Sequence, residues 1–353
     1  MSHSPLKLRA GAAALAQIRR DGFVPEAFSV MAGASGGPKW LVLSQLDRVL
    51  APWILKDRVA PLFLLGSSIG AWRFACLAQF DPLAAIDRFE EAYIGQRYET
   101  RPSAREVTAR SREILDVMLG DSGVREILGS PVVRLNVMTA RSRLATASDA
   151  RPVLLAGLAM SALANAANRK WLGWFYVRSL FSDPRDEPPF AGMSGLPLER
   201  AALTADNLDK AILATGSIPL VLEGVREIEG AAPGTYRDGG IIDYHFDEEL
   251  SAGRGLVFYP HFYGHIVPGW FDKGLKNRRG RASLDRTVLI HPSPEFVAGL
   301  PNSRIPDRKD FETMSNDDRI RCWQRVVAEC ERLAETFAEW GERGKLEAVV
   351  EPL

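Results

Sequence analysis

The sequence predicts an α/β protein with a mainly parallel central sheet covered by helices. Two strand–turn–helix units stand close together near the N-terminus, the arrangement by which parallel strands are joined. Apolar runs of strand length then alternate with helically spaced apolar residues. The 353 residues are 46% hydrophobic and 25% charged, which suits a globular chain with a sizeable core and excludes wholesale disorder.

Taken in order, residues 28–32 (FSVMA) read as a strand that runs into a glycine-rich turn at 33–37. Trp40, Leu43, Leu46 and Leu50 follow at helical spacing. Residues 61–65 (PLFLL) are a second buried strand, ending in the turn 66–70 and feeding a helix over 71–79. Helices are expected over 87–98 and 103–119, and a strand over 132–139 (VVRLNVMT). A helix over 208–215 stops at Ser217-Ile218-Pro219. Short strands are expected at 236–238, 255–260 and 287–291. A long amphipathic helix over 319–344 carries Trp323, Val326, Val327, Cys330, Leu333 and Phe337 on one face. Segments 181–197 and 264–285 read as loops, long enough to serve as lids. Neither a repeat nor a clean linker interrupts the chain, so 1–353 reads as one domain.

Composition narrows the function. Lysine plus arginine equals aspartate plus glutamate at 44 each, which argues against a nucleic-acid partner. Cys76, Cys322 and Cys330 cannot build a disulfide framework and fit a reducing cytoplasm. Arg19, Arg20 and Asp21 interrupt the N-terminal segment, which reads as no signal peptide. The most apolar run, 153–167 (VLLAGLAMSALANAA), is too short to span a bilayer and reads as a buried core helix. Its flanks leave a second reading open. Arg141, Arg143 and Arg151 precede it; Arg169, Lys170, Trp171, Trp174, Phe175 and Tyr176 follow, a pattern that also fits a lid or peripheral contact with a membrane surface.

The chemistry centres on Gly66-Ser67-Ser68-Ile69-Gly70, a Gly-x-Ser-x-Gly between a strand and a helix. A sharp turn there strains the serine and exposes its hydroxyl, and the glycines relieve crowding against strand and helix. The helix N-terminus behind Ser68 favours developing negative charge. Two partners are open. His291 stands late enough in the chain for a Ser–Asp–His triad. Asp238, in Asp238-Gly239-Gly240 after a short strand, offers a carboxylate as general base. The loop Ala34-Ser35-Gly36-Gly37-Pro38-Lys39 ends the first strand, and the Gly36 and Gly37 N–H groups suit an oxyanion hole.

At these places the chain resembles the patatin-like phospholipase family: Gly36 and Gly37, then Ser68, then Asp238, in the family's order and placement. Residues 211–219 (AILATGSIP) resemble the family's Ala-Ser-x-Ala-x-Pro segment. The match covers roughly 28–240, leaving 241–353 as an extension that completes the fold or shapes the substrate site. The resemblance implies a three-layer α/β/α fold and a Ser68–Asp238 dyad without a catalytic histidine. It also implies hydrolysis of fatty-acyl esters of lipids without metal or cofactor. Where the family commonly has Asp-Gly-Gly-Gly-x-Arg-Gly, this chain has Ala34-Ser35-Gly36-Gly37-Pro38-Lys39-Trp40, so the hole's donors and the acyl pocket need not match the family's. A catalytically silent lipid-binding or scaffold protein is the alternative from another class.

Other groupings read as structural. His261 and His265 lack the glutamate and the regular helix of a zinc site. Residues 243–249 (DYHFDEE) read as a solvated charged face. Residues 33–39 lack phosphate-loop spacing. Lys273, Lys276, Arg278, Arg279 and Arg281, beside Trp270 and Phe271, read as a polar loop or a dock for anionic headgroups.

Overall fold

The computed structural model describes residues 4–99, 101–278 and 284–353. Within them ten strands join one sheet: β1 (Leu6–Ala10), β2 (Phe28–Gly33), β3 (Leu62–Ser67), β4 (Val133–Ser142), β5 (Tyr176–Ser182), β6 (Leu198–Ala202), β7 (Thr235–Asp238), β8 (Leu256–Pro260), β9 (Thr287–Pro292) and β10 (Val350–Pro352). Their order is β10-β1-β9-β8-β2-β3-β4-β5-β6, with β7 also paired to β4. Six of the nine pairings are parallel, so the expected mainly parallel sheet is what forms. Its centre, β8-β2-β3-β4, is buried almost throughout, as strands covered on both faces must be.

Twelve helices flank the sheet among the described residues: α1 (Ala12–Asp21), α2 (Ser44–Leu55), α3 (Ile69–Leu77), α4 (Pro82–Ile94), α5 (Ala104–Leu119), α6 (Gly123–Gly129), α7 (Arg151–Ala167), α8 (Leu208–Thr215), α9 (Pro294–Gly299), α10 (Asp310–Thr313), α11 (Asn316–Glu329) and α12 (Glu331–Glu342). Every residue of α3 is buried, because it lies on β2, β3 and β4 and under α4 and α8. Trp40 stacks on Phe89 at 4.5 Å, so it serves the packing of α4. The Asp47 carboxylate receives Arg73 at 2.8 and 2.6 Å, a fully buried pair between α2 and α3.

Departures from the expected elements have physical reasons. β1 (LKLRA) alternates apolar and charged residues beside the short β10, so no continuous apolar run announces it. β5 extends over residues 181–182, assigned above to a loop. Its Arg178 is buried because Asp243, far along the chain, pairs with it at 2.9 and 2.7 Å. The expected long C-terminal helix is two, α11 and α12, divided at Cys330, whose N–H is shared between the Val326 and Val327 carbonyls. The six residues named on its apolar face are all buried.

The apolar run 153–167 is helix α7, but the expected burial holds for one face only. Leu154, Gly157, Leu158, Ser161, Ala164 and Asn165 turn inward. The other face is open to solvent. The run is apolar all round, and only one side meets the body of the protein. Among the described residues no helix is long and apolar enough to cross a membrane.

Candidate active site

Strand β4 is the ruler that sets this site. Along one edge it pairs with β3 as far as Ser67, opposite Met138. At the next residue, Thr139, the same edge takes up Asp238 of β7. The end of β3 and the end of β7 therefore meet head to head on β4. Ser68, one residue beyond β3, lands beside Asp238, and its Oγ donates to Asp238 Oδ2 at 2.8 Å.

Ser68 has φ 53° and ψ −131°, a strained conformation for a residue with a side chain. The two elbow glycines explain how the chain tolerates it. A Cβ on Gly66 would stand 2.3 Å from Ala71 Cα, and one on Gly70 would stand 2.2 Å from the Gly33 carbonyl oxygen. Only glycine lets β3, α3 and the end of β2 approach this closely. The Ser68 N–H is fixed by Thr215 Oγ1 at 2.8 Å, and the Thr215 hydroxyl donates to the Met138 carbonyl. Two residues further along the same segment, the Ser217 carbonyl accepts the Asp238 N–H at 3.0 Å. Residues 211–219 thus clamp both Ser68 and Asp238.

Asp238 is 6% exposed and Ser68 4%, so both sit under cover in this conformation. Burial pushes the Asp238 pKa up to about 6. The Ser68 hydroxyl, the Gly240 N–H at 2.6 Å and the charges of Arg308 and Lys273 oppose that rise. Gly239 and Gly240 begin the turn that follows, and a Cβ on Gly240 would collide with Ser35 Oγ at 2.4 Å. A carboxyl that changes charge near neutral pH, held against a strained hydroxyl, is the arrangement a general base requires.

The glycine loop lies against the elbow. Ser35 Oγ donates to Ser67 Oγ at 3.0 Å, and the Ser35 N–H is held by the Tyr244 carbonyl at 2.9 Å. Neither the Gly36 nor the Gly37 N–H is taken by an acceptor among the described residues. Gly37 has φ 56°, and a Cβ there would stand in ordinary contact with Arg308, 3.4 Å from its Cγ. Lys39 pairs with Asp307.

Two cations at this site carry no motif. Lys273 is exposed as a residue, yet its Nζ lies 3.9 Å over the Tyr244 ring. The surrounding protein, then the like charges of Lys39 and Arg308, bring its pKa down to about 7. Arg308 comes from the loop before α10 and makes no ion pair among the described residues. Both belong to the C-terminal extension; sequence reasoning placed Lys273 in a basic segment without tying it to Asp238, and had no signal for Arg308. Thr215 and Ser217 were at least marked by the segment that contains them.

His291 is not brought to Ser68. It lies on β9, three strands from β3 and so roughly 14 Å away at ordinary strand spacing. Its Nδ1 is 2.9 Å from the Pro292 carbonyl, and burial holds its pKa below the usual value. His261 Nδ1 accepts the Tyr263 N–H at 2.9 Å, and His265 stacks on Tyr263. Among the described residues no three His, Cys, Asp or Glu side chains gather as metal ligands would. Residues 243–249 are not the solvated face expected: Asp243 and His245 are buried, because Arg178 neutralises the first and the Val267 N–H bonds the second at 2.9 Å. In the basic segment, Arg278 is occupied by the Asn165 and Ala166 carbonyls at the end of α7. Arg279, Arg281 and the Lys276 side chain lie outside the described residues.

No family model matches the chain, and no curated protein sequence does. Two solved structures are similar at 11% identity. VipD from Legionella pneumophila has a TM-score of 0.35, with 74% of this chain and 53% of that chain covered. Human GIVD cytosolic phospholipase A2 has a TM-score of 0.36, with 96% and 63% covered. The chain thus spans between half and two thirds of the length of either. Likeness at this level assigns it neither a family nor a reaction.

Proposed function

We propose that the protein is a patatin-like serine acyl hydrolase that cleaves fatty-acyl esters of lipids through Ser68 and Asp238. The observation that carries this reading is the 2.8 Å hydrogen bond from Ser68 Oγ to Asp238 Oδ2 at a strained elbow. In the reaction, Ser68 Oγ attacks the ester carbonyl as Asp238 takes its proton. The Gly36 and Gly37 N–H groups receive the oxyanion, an effect worth about 3 kcal/mol per donor in comparable sites. Collapse of the tetrahedral species expels the alcohol, which leaves with the proton from Asp238. Asp238 then takes a proton from water as that water adds to the acyl carbonyl, and returns it to Ser68 Oγ as the Oγ–carbon bond breaks and the acid leaves. The unclaimed N–H groups of the glycine loop support this assignment of the hole.

Hydrolysis of p-nitrophenyl esters of graded chain length tests the reading. Ser68→Ala and Asp238→Asn are each expected to lose at least about 10³-fold in kcat. A fluorophosphonate probe is expected to label Ser68 alone. Activity should rise with pH through a midpoint near 6, because Asp238 must be ionised to accept the proton. A Ser68→Ala protein that still turns over these esters would overturn the proposal.

A further inference from the structure

Helix α7 breaks the usual division of a surface helix. Every exposed position between Pro152 and Ala167 is proline, valine, leucine, alanine or methionine. A helix that meets water on its outer side normally carries polar residues there. Here Leu163 is 73% exposed and Val153 44%. The turn after the helix continues the same character: the Trp171 and Trp174 rings stack at 5.3 Å and are 41% and 60% exposed. An apolar strip of this kind marks a surface that something covers.

The charges choose the occupant. Between Asp149 and Asp183 the chain has no acidic residue, while Arg151 stands at one end of α7 and Arg169 and Lys170 at the other. An identical copy laid on this face, in either direction, would bring Arg151 or Lys170 of one copy against Arg151 or Lys170 of the other, with no acidic residue along α7 itself to answer them. An anionic lipid surface answers both features: hydrocarbon takes the apolar face, and lipid phosphates take the basic ends. Tryptophans beside the basic end suit the headgroup depth of such a surface. We propose that α7 and the Trp171–Trp174 turn dock the protein on the surface of an anionic lipid bilayer. The choice of a lipid rests in part on the acyl-hydrolase reading.

The docking face is tied to the site. Asn165 of α7 donates to the buried Asp272 carboxylate at 2.7 Å, and Arg169 approaches the same group at 3.4 Å. The next residue is Lys273, whose charge acts on Asp238. A surface that holds α7 therefore holds the segment leading to the catalytic carboxylate.

Cosedimentation with vesicles tests the inference, using Ser68→Ala protein so that the vesicles stay intact. Strong binding is expected to vesicles of phosphatidylcholine mixed with phosphatidylglycerol, weakening with salt, and much weaker binding to phosphatidylcholine alone. Leu163→Gln and Trp174→Gln should each weaken binding about tenfold. Val59→Ser, at a position 90% exposed elsewhere, should not. Absence of vesicle binding, or unchanged binding by both α7 variants, would sink the proposal. So would a dimer in solution that Leu163→Gln dissolves, since the face would then belong to a second copy. Vesicle binding by a protein that cleaves no ester would leave docking standing and the hydrolase reading lost; ester cleavage without vesicle binding would do the reverse.

Discussion

The dyad and the outer face of α7 depart from ordinary burial in opposite directions. At the dyad a carboxylate sits where hydrocarbon belongs, 6% exposed, with both of its oxygens and the Ser68 N–H and hydroxyl committed to partners. On α7 hydrocarbon sits where water belongs, with no polar atom in reach except at the ends. Both arrangements cost stability, the first by desolvating a charge and the second by forgoing burial of apolar surface. They differ in tolerance. Atoms around the dyad have no room to move, whereas α7 presents only its inner side to the protein. A departure held by tight packing points to chemistry; one left open points to something that arrives from outside.

Three substitutions press on this contrast. The largest effect is expected at Gly70, where a Cβ meets the Gly33 carbonyl oxygen at 2.2 Å. Gly70→Ala should cost about 4 kcal/mol in denaturant unfolding and take esterase activity with it. A near-neutral result would mean that the elbow is looser than its packing indicates. Next comes Asp238→Asn. The folded carboxyl keeps its proton to about pH 6, against 3.8 in the unfolded chain. The native state is therefore favoured fully below about pH 4 and loses that advantage as pH rises through 6. Asparagine has no such loss, so the variant should gain on the order of 2 kcal/mol over the parent between pH 4 and 8 while losing activity. Thermal unfolding across this range checks it, and parallel curves would remove the burial argument. The smallest effect is expected at Leu163. Leu163→Gln should change unfolding free energy by no more than about 0.5 kcal/mol. A larger loss would show that the α7 face packs against the protein itself.

How much of this was legible in the sequence follows from how local each cause is. The central strands announced themselves because burial on both faces demands largely apolar runs, as in PLFLL, and in VVRLNVMT despite Arg134 and Asn136. β6 (LERAA) escaped notice because an edge strand with exposed residues needs no such run. Ser68 and Asp238 were readable because the turns that hold them require glycines within a few residues. Lys273 and Arg308 were not, since loops packed together from distant parts of the chain bring them in. For α7, periodicity reported how apolar the helix is but not which side the protein would cover.

The shared edge of β4 also sets a clock. Ser68 and Asp238 are 170 positions apart in the chain, and their meeting requires β3, β4 and β7 to pair in register. Contacts of such long range form late in folding, after loop-closure entropy has been overcome. On the ribosome Ser68 precedes Asp238 by roughly 10–30 s of synthesis. On the proposed acyl-hydrolase reading, its hydroxyl is through that interval an ordinary alcohol, unable to attack an ester. Acquisition of esterase activity would then be a direct readout of sheet closure in a refolding or translating chain.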